Sequence, residues 1–142
     1  MNIVRFCVLA VSIACAGCAN RPTPVASAIN VSKERVFPAY WHFQSADAAH
    51  VRAWITRDIN YAGSAAAVRF FIDGEAIATL KNGEGVSVFL PPKQYLFGVQ
   101  RDPTWGQPKW EQTYNIEKKG DVYFRIGVGA DHFFVMPTSE TR

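Results

Sequence analysis

The sequence predicts an all-β fold, an antiparallel β-sandwich of about seven or eight strands. Three observations carry that reading. From residue 50 onward apolar residues recur at every second position, the spacing that turns one face of a strand toward a core. Gly, Pro, Asn and Asp punctuate these runs every 8 to 12 residues or so, roughly the rhythm of short strands joined by turns. No segment past residue 40 keeps a helical period, the nearest being a short stretch at Ser45 to Ala49. A length of 142 residues allows one domain. Apolar residues make up 49% and charged residues 19%, a globular balance with no signature of bulk disorder. Lys and Arg number 15 against 12 Asp and Glu, a net charge of +3, and they are scattered along the chain. Nucleic-acid binders concentrate positive charge on one face, so no nucleic-acid partner is expected.

The chain opens MNIVRFCVLAVSIACAGCANRPTP. Arg5 supplies a short positive segment, Phe6 to Ala14 form a nine-residue apolar run, and small residues follow. That is the layout of a secretory signal, and the run is too short to cross a bilayer, which takes roughly 20 residues. Its end, Cys-Ala-Gly-Cys, resembles the lipobox of bacterial lipoproteins, where small residues precede the modified cysteine. The resemblance implies cleavage between Gly17 and Cys18, with Cys18 diacylated on sulfur and acylated at the new N-terminus. Lipoboxes usually carry Leu three places before the cysteine, where this chain has Cys15. Cys15, after Ser-Ile-Ala, is the alternative acceptor; the small pair Ala16-Gly17 favours Cys18. A redox or metal-binding Cys-x-x-Cys usually starts a helix inside a folded domain, whereas this pair ends an N-terminal apolar run.

Cys7, Cys15 and Cys18 are the three cysteines. Cleavage leaves one, which lipid consumes, so the mature domain holds no disulfide even in an oxidising compartment. Two or more acyl chains hold a protein stably where one does not, which makes the membrane its first expected partner. Residue 19 is Ala rather than the Asp that retains enteric lipoproteins at the inner membrane, which favours the outer membrane, facing the periplasm. Three regions follow: a signal peptide over 1–17, the lipidated cysteine and a tether over 18–39, and the sandwich over 40–142. Pro22, Pro24 and Pro38, with small and polar residues between them, have the composition of a flexible leash.

The aromatic run Tyr-Trp-His-Phe-Gln at 40–44 reads as the place where the leash docks, in the manner of an edge strand, with Trp41 and Trp54 contributing to the core. Val51, Ala53 and Ile55 then share one side of a strand. Val68, Phe70 and Ile72 alternate, Asp73-Gly74 turns, and Ala76 to Leu80 returns. Asp-Gly between β-rich runs marks a hairpin, because a type I′ turn needs positive φ at both central residues. Val86, Val88 and Leu90 form the next inward set, broken by Pro-Pro-Lys, and Tyr95, Phe97 and Val99 the one after. A loop, Arg-Asp-Pro-Thr-Trp-Gly-Gln-Pro-Lys-Trp at 101–110, separates that strand from Glu-Gln-Thr-Tyr-Asn-Ile-Glu. Val122, Phe124, Ile126 and Val128 alternate, with Arg125 outward, and a strand at 132–137 precedes a polar tail.

Residues 51–100 resemble a family of uncharacterised bacterial lipoproteins. Their shared domain runs as a strand ending in Arg, a linker, an Ile-Asp-Gly hairpin, and a later Pro-Gly turn before an aromatic strand. Arg57, Ile72-Asp73-Gly74, Leu80, Gly83, Pro92 and Tyr95 stand at matching positions. The resemblance implies a prealbumin-like β-sandwich, and it adds no catalytic residues. Where the family has Gly after Pro92 this chain has Lys93, so either the turn differs or Lys93 takes a strained φ.

Chemistry is sparse. His42, His50 and His132 are the only histidines, and a zinc or acid–base site needs several groups converging. Asp131 beside His132 suits an oriented histidine, but strand neighbours point to opposite faces, which favours a turn Asp beside an ordinary strand-end His. No nucleophile elbow, phosphate loop or metal-ligand spacing is present. The sequence therefore predicts no catalytic residues, no metal and no cofactor. Trp105 and Trp110, in the 101–110 loop, are the most suggestive pair. Exposed indoles bind sugars or anchor interfaces; folded back, they would cap one end of the sandwich. The expectation is a membrane-anchored, non-enzymatic accessory module of the cell envelope with a protein partner. A glycan- or peptidoglycan-binding module working through the Trp loop is the alternative. A small hydrolase would need His132 or His50 to meet carboxylates in a cleft.

Overall fold

Alternating burial follows the alternating sequence. In a computed structural model, which describes residues 21–60, 66–102, 108–117, 120–129 and 132–139, nine strands form two sheets. The strands are β1 (Ile29–Asn30), β2 (Val51–Arg57), β3 (Ala67–Ile72), β4 (Glu75–Leu80), β5 (Glu84–Leu90), β6 (Gln94–Asp102), β7 (Trp110–Asn115), β8 (Val122–Val128) and β9 (Phe133–Pro137). One sheet runs β1-β5-β2-β8-β9 and the other β4-β3-β6-β7, giving the expected all-β sandwich. Two neighbours in the five-stranded sheet are parallel rather than antiparallel, β1 with β5 and β2 with β8. The second pair is joined by a long connection, from β2 through β3 and β4 of the opposite sheet, back to β5 beside β2, and through β6 and β7 before β8, the kind of crossover that parallel neighbours require.

Local chemistry fixes the hairpins. Asp73 and Gly74 have φ of 49° and 85°, the paired positive values of a type I′ turn. The Asp73 carboxylate accepts the Leu96 N–H at 2.9 Å, tying the turn to β6. Lys93 is not among the residues with positive φ. The turn after Pro92 is therefore built differently from a Pro-Gly turn and needs no glycine.

The core lies between the sheets. Val51, Ala53 and Ile55 of β2 face Val68, Phe70, Ile72, Tyr95 and Phe97 of the other sheet, all buried. Phe97 meets Phe124 edge-on at 4.9 Å and Phe70 at 5.4 Å, and Tyr114 meets Phe124 at 5.0 Å, so aromatic contacts stitch one sheet to the other. Such pairs add about 0.5–1.5 kcal/mol beyond the area they bury.

The N-terminal segment departs from expectation. Cys18 and its surroundings lie outside the described residues, but 21–39 is not a free leash. Arg21 and Ile59 exchange both main-chain hydrogen bonds, at 2.8 and 2.9 Å. Thr23 is buried, and its hydroxyl donates to the Arg57 carbonyl at 2.8 Å. Ile29 and Val31 donate to Gly83 and Gly85 at 3.0 Å each, and Phe37 donates to Ile77 at 2.9 Å. Residues 40–43 form no edge strand either. Pro38–Phe43 is a 3-10 helix with Pro in its first turn. Three residues per turn stack Tyr40 and Phe43 on one side, both packed against the core, and leave Pro38 and Trp41 outward. Trp41 is 56% exposed, so it is not a core residue. Trp54 is not one either: on β2 the core face belongs to odd-numbered positions, and its indole N–H donates to Asp121 at 3.1 Å on the outer face. Residues 45–49 form turns, not a helix.

Candidate functional site

A sandwich of two sheets has two flanks where the sheet edges face each other. Here, among the described residues, one is covered and one is open. On the covered flank, β4 and β5 are overlaid by the 3-10 helix Pro38–Phe43 and the segment before it, and Val36 bridges to Ala78 of β4. The clamp is an ion pair: the Arg35 guanidinium grips both oxygens of Glu84 and also donates to the Thr79 carbonyl at 3.1 Å. Burial pulls the Glu84 carboxyl upward, but the Arg35 hydrogen bond and the Lys81 N–H outweigh it and hold it below its usual range.

On the open flank, β7 and β9 are the edge strands of their sheets. Between them runs a groove of about 380 Å³, within the span of about 300–1,000 Å³ typical of ligand sites. Alternation along β7 sends Trp110, Gln112 and Tyr114 into it, and β9 supplies Phe134, Val135, Met136 and Pro137, with His132 at one end. A smaller cleft of about 30 Å³ continues past Trp110 and His132 toward Arg101 and Pro108.

The two walls are tied at one point. The Tyr114 hydroxyl donates to the Val135 carbonyl at 2.7 Å, and burial raises the pKa of that phenol, so it remains a donor. The His132 ring lies edge-on to Phe134, centroids 6.2 Å apart. Phe134 lies so close over Gly127 that a Cβ there would come within 2.8 Å of the ring, so a side chain at 127 would displace this wall.

The β9 edge is blunted against strand addition. Gly129 N–H donates to His132 and Thr138 N–H to Tyr123. With the register Gly127↔Phe134 and Arg125↔Met136, ladder alternation points the main chain of Val135 and Pro137 toward the open flank. Pro137 has no N–H, and the Val135 carbonyl is taken by Tyr114. Natural sheets protect edges in such ways. The β9 edge is therefore poorly suited to accepting a further strand along Val135–Pro137.

Of the residues singled out from sequence, Trp110 stands in this groove, half-buried, at the start of β7. Trp105 and Asp131 lie outside the described residues, as do Cys15 and Cys18. His132 is exposed at the Arg57 end of the sandwich. His50 sits at the Val51 end, its Nδ1 2.8 Å from the Ser45 carbonyl, and His42 is on the 3-10 helix, so the histidines do not converge. Among the described residues no cluster of three or more His, Cys, Asp or Glu is placed to hold a metal, and no helix is long and apolar enough to cross a membrane.

Sequence reasoning missed Gln112, Tyr114, Phe134 and Met136 as groove residues. Alternation from Trp110 gave Gln112 and Tyr114 the same face, but nothing local said that β7 would be an edge strand. It placed Arg57 at the end of a strand without assigning it a role; Arg57 is fully buried. Its Nη1 donates to the Leu80 carbonyl at 2.8 Å, and its guanidinium lies 5.3 Å from the Phe133 ring centre. Burial pushes its pKa down to about 10, against the pull of Glu84, so it stays charged at neutral pH. Arg57 ties β2 and β9 of one sheet to β4 of the other, a structural role.

Neither a family model nor a curated protein matches the chain.

Proposed function

We propose that this chain is a lipid-anchored envelope protein, held by Cys18 at the outer membrane, that acts as a non-enzymatic interaction module through its open flank. One observation carries the second half of that reading. The molecule seals one flank with its own N-terminal segment and leaves on the other a groove that presents Trp110, Gln112, Tyr114 and His132 together. A large rigid indole beside amide, phenol and imidazole groups is the mixture that binding surfaces use. The lipid anchor rests on the lipobox-like Cys-Ala-Gly-Cys after the apolar run.

The test is cross-linking in intact cells with a tag after Arg142, comparing the natural chain with Trp110→Ala and Cys18→Ala. The expected result is a single envelope partner captured by the natural chain and lost from both variants, while Trp110→Ala keeps its melting midpoint. Capture that ignores Trp110 would remove the groove from the proposal. A second reading, favoured by the same Trp110 and Gln112, is a glycan ligand stacked on the indole. It predicts that purified domain sediments with peptidoglycan and that Trp110→Ala abolishes this.

A further inference from the structure

The segment that seals the flank also fixes how far the domain stands from its anchor. Taking Cys18 as the lipidated residue, as proposed above, only Ala19 and Asn20 separate it from Arg21, a span of at most about 11 Å when fully extended. Arg21 is pinned to the domain by its paired hydrogen bonds with Ile59. The domain is therefore held close to the bilayer by one particular end.

That end carries exposed apolar side chains. Ile29 is 67% exposed and Ile59 46% exposed. Both flank Gly83: the Ile29 N–H donates to the Gly83 carbonyl at 3.0 Å, and a methyl group on Gly83 would meet the Ile59 side chain at 3.5 Å. Exposed Ile is costly to solvate and gains from entering an apolar layer. Arg21 and Lys81, both exposed, flank the same end. The neighbouring carboxylates do not oppose them: Glu84 is paired with Arg35, and Asp58 is buried near Arg125 at 3.7 Å. Apolar side chains with two exposed cations beside them match the boundary between anionic lipid headgroups and acyl chains.

We propose that the end of the sandwich formed by Arg21, Ile29, Ile59 and Gly83 lies against the phospholipid surface that holds the anchor. The domain does not swing below the membrane. It stands on it, with the opposite end, at the Asp73-Gly74 turn, farthest away.

The test is photo-cross-linking in vesicles of phosphatidylethanolamine and phosphatidylglycerol. Benzoylphenylalanine is placed at position 29, at position 59 or, on the opposite end, at position 75, in the lipidated chain. The expected result is lipid adduct at 29 and 59 several-fold above that at 75, and its reduction when Arg21→Glu and Lys81→Glu are added. Equal adduct at all three positions, or adduct to protein instead of lipid, would overturn the proposal. Mass spectrometry of the N-terminal peptide reads the lipid separately. If the cell leaves Cys18 unmodified, the anchor reading fails, and the chain from 18 onward is coupled to a maleimide lipid through Cys18. The same adduct pattern then decides the seating.

Discussion

The Arg35–Glu84 pair holds the N-terminal segment where main-chain hydrogen bonds alone would let it fray, and its strength is set by how little water reaches it. The Glu84 side chain is 10% exposed and that of Arg35 23%. With its folded pKa below the usual value of 4.5, Glu84 contributes stability that is present above about pH 4.5 and lost as the pH falls through the folded value. Glu84→Gln should lower stability by about 1–3 kcal/mol at pH 7 and flatten the acid limb of a denaturation series below the usual carboxylate value of 4.5. An acid limb unchanged by the substitution would show that the pair is ornamental. Arg57→Lys keeps the buried charge but loses the planar fork that reaches the Leu80 carbonyl while lying against Phe133. It should cost about 1–3 kcal/mol, read from the urea midpoint. Arg57 was legible in the sequence, in a way that composition conceals: the parity that turns Val51, Ala53 and Ile55 inward turns Arg57 inward too.

At the level of elements, the strands were legible because their causes are local. Alternation and turn residues sit within a few positions of the structure they dictate. The Asp73-Gly74 hairpin is the clearest case, and Gly74→Ala, at φ 85°, should cost about 1 kcal/mol in a thermal melt. The segment 21–44 was not legible. Much of its docking is carried by main-chain bonds from Arg21, Ile29, Val31 and Phe37, and its side-chain anchors, Thr23 and Arg35, meet partners 34 and 49 residues away, while its prolines and small residues imitate a linker. The aromatic run at 40–44 was read correctly as a docking point and wrongly as a strand. Pro38 and the three-residue spacing of Tyr40 and Phe43 decide for a 3-10 helix. Phe43→Ala, removing a half-buried ring from the core margin, should cost about 1–2 kcal/mol and raise main-chain hydrogen exchange at Phe37 and Val31. Uniform protection across those amides would show that the segment is held without it.

The whole molecule is asymmetric in a way that no single strand predicts. Which strands would end as edges, and which edge the N-terminus would cover, depends on contacts between residues tens of positions apart, such as Val36 with Ala78 and Tyr114 with Val135. That is why Trp110 was found and its groove was not. The covered flank also sets a ceiling on self-association. An open-ended fibre needs every copy to offer two free surfaces, one for the copy before and one for the copy after. Counted in sheet edges among the described residues, this sandwich offers them on one flank, since β4 is bridged by Val36 and the β1 edge is two residues long. In the valence language of polymers it is a monovalent unit, a chain stopper. Two copies meeting flank to flank leave no free sheet edge for a third, so light scattering of the unlipidated domain carrying Ile29→Ser and Ile59→Ser should level off at the dimer. Removing the covering segment makes the unit divalent, and growth should then continue to insoluble aggregate. On the lipid anchor proposed above, where copies would crowd in two dimensions, a unit that cannot propagate through its sheet edges is the safest kind.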